Sequence, residues 1–252
     1  MESIPFLTVN NDSISLSQSL RYLRGTGKLP QFLTEILRQY VLDKELQERS
    51  DIQIDTFLID QAIMDFRLHN QLSDPNLFRR WLANNAFNYE DFYNQIAFNL
   101  KIEQLKKEMT EAKVEEYFIE RKPFIDQVVI SRIVVAEKEL AEDIKQQLNN
   151  DKNKFEQLAR EKSITNDRFV NGMIGAVSRG QLPEALTTAM ASAQPGDIIG
   201  PLEIEERYCI FRIEQFINYT LEEGIKQELQ NQMFEQWLQG NLQKMAVKLE
   251  VF

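Results

Sequence analysis

The stretch that decides the fold of this chain is QVVISRIVVAEKELAEDIKQQL, residues 127–148. Its first nine residues are mostly β-branched and apolar, which is typical of a largely buried β-strand. The residues from Glu137 onward predict a helix, so a strand runs directly into a helix at this point. This change in the spacing of apolar residues, from one typical of a strand to one typical of a helix, marks the start of a region that contains both strands and helices.

The residues after this stretch predict further alternation of strands and helices. A second helix is followed by a glycine-bounded strand, a short helix and two strands joined by a turn at Glu205-Glu206-Arg207. Five of the nine glycines lie between Gly172 and Gly200, which supports a turn-rich segment. The predicted order, β-α-α-β-α-β-β, indicates an α+β domain over residues 123–218.

The two flanks of this domain have helical periodicity. Residues 1–122 predict an all-helical unit of five or six short helices, the last of which is expected to stop at Pro123. Residues 219–252 return to a helix with Leu229 and Met233 on one apolar seam. Because such a seam must be buried, we expect residues 219–252 to pack on the N-terminal helices, with the α+β domain inserted between them.

Composition excludes several classes of function. The chain has 252 residues, a net charge of −10 and 43% apolar residues. This acidity argues against binding to nucleic acid or to anionic membrane surfaces, and no apolar run reaches the roughly 20 residues of a membrane span. One cysteine and one histidine, His69, exclude an internal disulfide and a two-histidine metal site, and no metal or cofactor is expected. The N-terminal residues lack the features of a signal peptide, so a cytoplasmic location is expected.

Four segments of the predicted α+β domain occur in an order and spacing typical of one known family. They are SRIVVAEKELAEDI, FEQLAREKS, NGMIGAVSRGQLPEAL and QPGDIIGPLEIEERYCIFRIEQF. Together they resemble the parvulin family of peptidyl-prolyl cis-trans isomerases. The flanks, including VNNDSISLSQSLRYL and VEEYFIERK, resemble the chaperone portion of SurA- and PrsA-type proteins. The resemblance implies a helical chaperone-like domain, residues 1–122 with 219–252, and an inserted parvulin-like rotamase domain, residues 123–218.

The resemblance also implies three polar positions in the site. Parvulins usually place a histidine on the first strand and another on the last strand, where this chain has Arg132 and Cys209. They usually place an acidic residue or a cysteine after a glycine turn, where this chain has Met173. The apolar pocket that receives proline is better matched, by Gln181, Leu182 and Leu186.

The chemistry of this family needs no proton transfer to a leaving group. Rotation about an X–Pro bond is opposed by amide resonance, with a barrier of roughly 18–20 kcal/mol. A pocket lowers that barrier by binding the twisted amide better than the planar one. Because a buried guanidinium needs a carboxylate, we expect Arg132 to turn towards solvent or to bind an acid such as Glu203 or Glu214. Cys209 is expected to be a small apolar core residue, unless Arg132 lowers its pKa enough to make it reactive.

Three functions are compatible with the sequence. The first is a folding chaperone that binds unfolded or exported polypeptides and prolyl segments, with weak or absent isomerase activity. The second is an active isomerase whose polar centre is rearranged. The third is a dedicated partner of an export or maturation machine. A homodimer formed by exchange of the terminal helix is left open.

Overall fold

A computed structural model describes residues 5–250. The chain forms two compact units: unit 1 is made from the Met1–Val114 and Gln227–Phe252 segments, and unit 2 is Glu115–Lys226. Unit 1 is therefore discontinuous in sequence. The divisions fall after Val114 and after Lys226, whereas the sequence analysis placed them after residues 122 and 218.

The helices of unit 1 follow a short β-hairpin. The elements are β1 (Pro5–Val9), β2 (Asp12–Ser15), α1 (Leu16–Gly25), α2 (Leu29–Glu48), α3 (Thr56–His69), α4 (Pro75–Asn84), α5 (Tyr89–Thr110) and most of α10 (Glu223–Gln243). The expectation that this part is entirely helical is wrong at the hairpin. Thr8 pairs with Ser13, and the turn places Asn10 at a φ of 56°, a left-handed conformation that asparagine tolerates.

Two apolar clusters form the core of unit 1. One is aromatic and includes Phe78, Trp81 and Phe92 from α4 and α5. The other joins Leu105 of α5 to Phe234 of α10, so the C-terminal helix completes this core. The Arg38 guanidinium on α2 also binds Glu235 on α10 through two hydrogen bonds of 2.6 and 2.9 Å.

Unit 2 has the predicted order of elements, which confirms the α+β fold class. Its elements are α6 (Val114–Ile125, from Glu115 on), β3 (Gln127–Val135), α7 (Lys138–Asn150), α8 (Phe155–Lys162), β4 (Met173–Ser178), α9 (Glu184–Ala189), β5 (Ile198–Ile204) and β6 (Arg207–Ile217). Pro123 lies inside α6, so the expectation that the helix stops there is wrong. The helix continues to Ile125, so Pro123 lies in its last turn, where it removes one backbone donor from a helix that is already ending.

The four strands of unit 2 form one antiparallel sheet in the order β4-β3-β6-β5. Helices α7 and α8 pack on one face through a cluster that includes Ile133 and Ile210. Helix α9 packs on the other face through a cluster that includes Val134 and Cys209. Alternate residues of β3 and β6 therefore belong to different layers.

Two absences hold for residues 5–250. No helix there combines the length and the apolar character that crossing a bilayer requires. Within the same range, no three histidine, cysteine, aspartate or glutamate side chains are arranged to hold a metal ion.

Candidate functional site

The central strands of unit 2 bring Arg132 and Cys209 close together. In the pairing of β3 with β6, Arg132 lies opposite Phe211 and Val134 lies opposite Cys209. Residues two apart on a strand share a face, so all four side chains lie on the α9 side of the sheet. The guanidinium of Arg132 is close enough to Cys209 to act on its thiol electrostatically.

Arg132 begins a continuous chain of polar contacts. Its Nε donates to Oδ2 of Asp167 at 2.7 Å, and Oδ1 of Asp167 accepts from the Thr165 hydroxyl at 2.6 Å. The Thr165 and Ser163 hydroxyl oxygens lie 3.0 Å apart, and Ser163 Oγ accepts from the backbone N–H of Val134 at 3.1 Å. This series of hydrogen bonds starts at Arg132 and ends at the backbone N–H of Val134, both on β3. It therefore holds the segment after α8 against that strand.

The acids expected to bind Arg132 are engaged elsewhere. Glu214 Oε1 accepts from the Ser131 hydroxyl at 2.6 Å and from Arg212 Nε at 2.7 Å, on the α8 side of the sheet. Among residues 5–250, the Glu203 carboxylate accepts one long hydrogen bond, 3.4 Å, from the Tyr208 hydroxyl. The expectation for Glu203 and Glu214 is therefore wrong, and the partner is Asp167.

Asp167 reaches Arg132 because the following turn is held against β3. The backbone N–H of Gly172 donates to Asp167 O at 2.9 Å, and Gly172 O accepts from the N–H of Arg132 at 2.8 Å. Gly172 has a φ of 82°, and a Cβ at this position would lie 2.4 Å from Arg132 O. Only glycine fits this approach, so Gly172 determines how closely the Asp167 turn lies against the strand.

Sequence reasoning missed Ser163, Thr165 and Asp167. The signal available was the run SITND between α8 and the glycine turn, in which every side chain except that of Ile164 can form a hydrogen bond. Nothing local in this run identifies Arg132 as its partner. The contact needs the antiparallel return of the chain to β3.

Cys209 is an apolar core residue in this structure. It is 6% exposed and packs in one cluster with Leu186, Met190 and Phe211. Burial raises the pKa of its thiol, and the positive charge of Arg132 only partly opposes that effect. At neutral pH the thiol is therefore protonated, as a buried cysteine in apolar surroundings should be.

The remaining residues assigned from the sequence lie at different depths. Leu186 is fully buried, Leu182 is half-buried against the same cluster, and Gln181 is exposed in the turn before α9. Met173 begins β4, is 48% exposed, and pairs with Ser131, which faces away from Arg132. The structure thus gathers Cys209, Leu182 and Leu186 beside the Arg132 strand face, and the strand register separates Met173 from them.

This arrangement places a cation beside an apolar layer. The side chain of Arg132 is 37% exposed and that of Asp167 is 12% exposed. A guanidinium has five N–H donors, and the contact to Asp167 uses the one on Nε. The outer donors can therefore bind a peptide carbonyl, next to apolar groups suited to a proline ring.

Comparison with known families identifies this part of unit 2. The family described as "Rotamase: PPIC-type PPIASE domain" matches residues 131–215, from the strand that carries Arg132 to the strand that carries Cys209. Residues 131–215 are a PPIC-type rotamase domain. In fold, this rotamase domain is of the type found in parvulin peptidyl-prolyl cis-trans isomerases.

The similarity extends beyond the rotamase domain. The chain is 24% identical to Chaperone SurA of Pseudomonas putida over 222 residues, which cover 76% of this chain and 51% of that protein. It is 23% identical to Foldase protein PrsA 2 of Listeria innocua over 212 residues, covering 82% of this chain and 68% of that one. The chain thus spans about half the length of that SurA. The alignment with a crystal structure of PrsA from Bacillus cereus covers 100% of this chain and 96% of that one, with 18% sequence identity and a TM-score of 0.48.

Proposed function

We propose that this protein is a folding chaperone that binds unfolded or exported polypeptides, including prolyl segments, and that its rotamase domain has weak or absent isomerase activity. The similarity to a chaperone SurA and a foldase PrsA supports the general class. The observation that carries the second part is that His69, the only histidine of the chain, lies in unit 1. The rotamase domain therefore has no imidazole, and its polar centre is the Arg132–Asp167 ion pair.

The apolar part of the rotamase domain supports binding of prolyl segments more than catalysis. Leu182 is half-buried over the α9 cluster and leaves part of its surface to a ligand. The Arg132 guanidinium supplies hydrogen-bond donors and a positive charge to this site. Such a site binds a prolyl peptide without a strong preference for the twisted amide, and uniform binding does not accelerate the reaction.

A protease-coupled assay on a short Xaa-Pro peptide tests the catalytic part. Uncatalysed isomerisation takes roughly tens to hundreds of seconds, so modest acceleration is measurable. We expect little acceleration by the wild type and a gain on combining Arg132→His with Cys209→His. Strong wild-type catalysis that Leu182→Ala abolishes would instead establish an active isomerase with a rearranged site.

The structure refines the choice of variants for this assay. Leu186 is fully buried, so Leu186→Ala opens a core cavity and destabilises the domain by about 2–5 kcal/mol. Leu182→Ala is the better probe, since Leu182 is only partly buried. Leu140→Ala is its matched control, because Leu140 is a partly buried leucine against the cluster on the other face of the sheet.

Unit 1 supplies a candidate surface for unfolded polypeptide. Phe32, Ile36 and Tyr40 lie four residues apart on α2 and are 38%, 49% and 50% exposed. Apolar side chains in a row on an exposed helix face are typical of a binding surface. We expect Ile36→Ser with Tyr40→Ser to weaken suppression of client aggregation, measured by light scattering. Gln31→Ser with Gln39→Ser on the same helix is the control, and equal loss in both double variants would contradict this assignment.

A cytoplasmic location, a homodimer and a dedicated partner in an export or maturation machine stay predictions. A pull-down separates the last of these from the chaperone proposal. One stoichiometric partner would favour a dedicated role, whereas a broad range of captured polypeptides would favour a chaperone.

A further inference from the structure

A polar cavity lies at the β5 edge of the unit 2 sheet. Its volume is about 350 Å³, and it is bounded by α7, the residues just after it, the segment between α9 and β5, and β5 itself. Its polar lining residues are Lys145, Asn149, Lys152, Ser192 and Asp197. None of the residues that line the cavity takes part in the hydrogen bonds that join Arg132, Asp167, Thr165 and Ser163.

The charges in this cavity are not balanced. Lys152 Nζ pairs with Oδ1 of Asp197 at 3.1 Å, and Oδ2 of Asp197 accepts from the Gln194 N–H at 2.9 Å. The Asp197 carboxylate is therefore already bound through both oxygens. Lys145 Nζ donates to the Ile198 carbonyl at 2.6 Å and, among residues 5–250, makes no ion pair within 4.0 Å. Two cations and one anion leave the cavity with a net positive charge.

The surroundings of Lys145 disfavour its charge. Its pKa is lowered, first by burial of the ammonium group and then by the nearby charge of Lys152, while Asp197 acts in the opposite direction. A carbonyl oxygen satisfies one of the three N–H donors but adds no counter-charge. An anion placed in the cavity would supply that charge and two further acceptors.

We propose that this cavity is a binding site for a small oxyanion, a carboxylate or a phosphate group, held chiefly by Lys145. Lys152 adds a second ammonium, and Asn149 and Ser192 in the lining are neutral residues with hydrogen-bond donors. A cavity of about 350 Å³ accommodates a phosphate or the end of an acidic side chain. The net charge of −10 repels anions from the protein as a whole, so affinity must come from this local positive charge.

The test is an NMR titration of the full chain at constant ionic strength, following the lysine ε-carbons and the side-chain amide of Asn149. Inorganic phosphate and N-acetyl-glutamate amide are the two probes. We expect a saturable shift at Lys145 and Asn149, and a Lys145 pKa that rises towards the ordinary lysine value when the site is occupied. Phosphate binding alone assigns the site to phosphate groups, and binding of both probes extends it to acidic side chains.

Variants make the assignment specific. Lys145→Met should weaken binding about tenfold or more, since it removes a charge-assisted hydrogen bond. Lys138→Met should leave affinity unchanged, because Lys138 is two turns earlier on the same helix, is exposed and does not line the cavity. Ala189→Leu narrows the cavity while keeping both lysines, so it should also weaken binding and serves if Lys145→Met does not fold. The proposal would be overturned if neither probe gave a saturable shift. It would also be overturned if a folded Lys145→Met or Ala189→Leu protein bound with wild-type affinity.

Discussion

Replacing Asp167 by alanine tests whether the polar chain from Arg132 to Ser163 holds the rotamase domain together. The substitution removes the acceptor for Arg132 Nε and for the Thr165 hydroxyl. Breaking a fully buried ion pair costs about 3–5 kcal/mol, whereas an exposed pair contributes about 0.2–1 kcal/mol. Asp167 is 12% exposed and Arg132 is 37% exposed, so solvent screens the pair in part. We expect the free energy of unfolding of unit 2 to fall by about 2 kcal/mol.

The chain contains separate reporters for its two units. Its only cysteine, Cys209, is buried in unit 2, and its two tryptophans, Trp81 and Trp237, lie in unit 1. Reaction of the thiol with an aromatic disulfide across a urea series therefore follows unfolding of unit 2, while tryptophan fluorescence follows unit 1. With a denaturant slope of about 1–3 kcal/mol per M, a loss of about 2 kcal/mol moves the thiol midpoint by about 1 M.

Asp143→Ala is the matched control, because Asp143 is an exposed acid of unit 2 whose carboxylate accepts from the neighbouring Gln147 amide. The free energy of unfolding of this variant should differ from that of the wild type by no more than about 0.5 kcal/mol. A double-mutant cycle with Arg132→Met should give a coupling energy of about 1–2 kcal/mol for the Arg132–Asp167 pair. The reasoning fails if Asp167→Ala moves the thiol midpoint no further than Asp143→Ala does, or if the coupling energy is zero.

Two pH-dependent effects follow from the shifted pKa values. The raised pKa of Cys209 keeps a proton on the native thiol that the unfolded thiol loses, so unit 2 should lose stability as pH rises through the ordinary thiol range. Cys209→Ala should remove this dependence in thermal unfolding followed by circular dichroism, and an unchanged slope would refute it. The pKa of Glu235 is lowered by Arg38, so that pair stabilises unit 1 above the ordinary glutamate pKa and ceases to do so as pH falls. Arg38→Met should cost up to about 1 kcal/mol at pH 7 by tryptophan fluorescence, with the difference disappearing in acid, and an equal cost at both pH values would argue against the ion pair.

Local patterns account for the parts of the fold that the sequence predicts. The turn at Glu205-Glu206 places both residues at positive φ, 49° and 59°, between two β-rich segments. A two-residue turn of this kind determines the pairing of its neighbours without any distant contact. The hairpin at Pro5–Ser15 was missed because strands of five and four residues are too short for periodicity to separate them from the start of a helix.

The polar centre of the rotamase domain depends on contacts that periodicity does not contain. The resemblance to parvulins implies that Arg132 and Cys209 stand where that family usually has histidines, and the sequence analysis predicts an acid such as Glu203 or Glu214 as a partner of Arg132. Strand register places Glu214 on the opposite face, and the turn at Gly172 brings in Asp167 instead.

The sequence by itself determined the alternation of strands and helices in unit 2, the absence of histidine from the rotamase domain and the resemblance that names its class. These depend on residue identity and on spacings within one element. Only the tertiary structure decided that Asp167 pairs with Arg132, that Cys209 and Leu186 are core residues, and that Lys145 lines a cavity whose one carboxylate, Asp197, is paired with Lys152. The physical reason is that burial and ion pairing depend on which distant segments approach each other, and that approach is determined by sheet register and by the packing of whole layers.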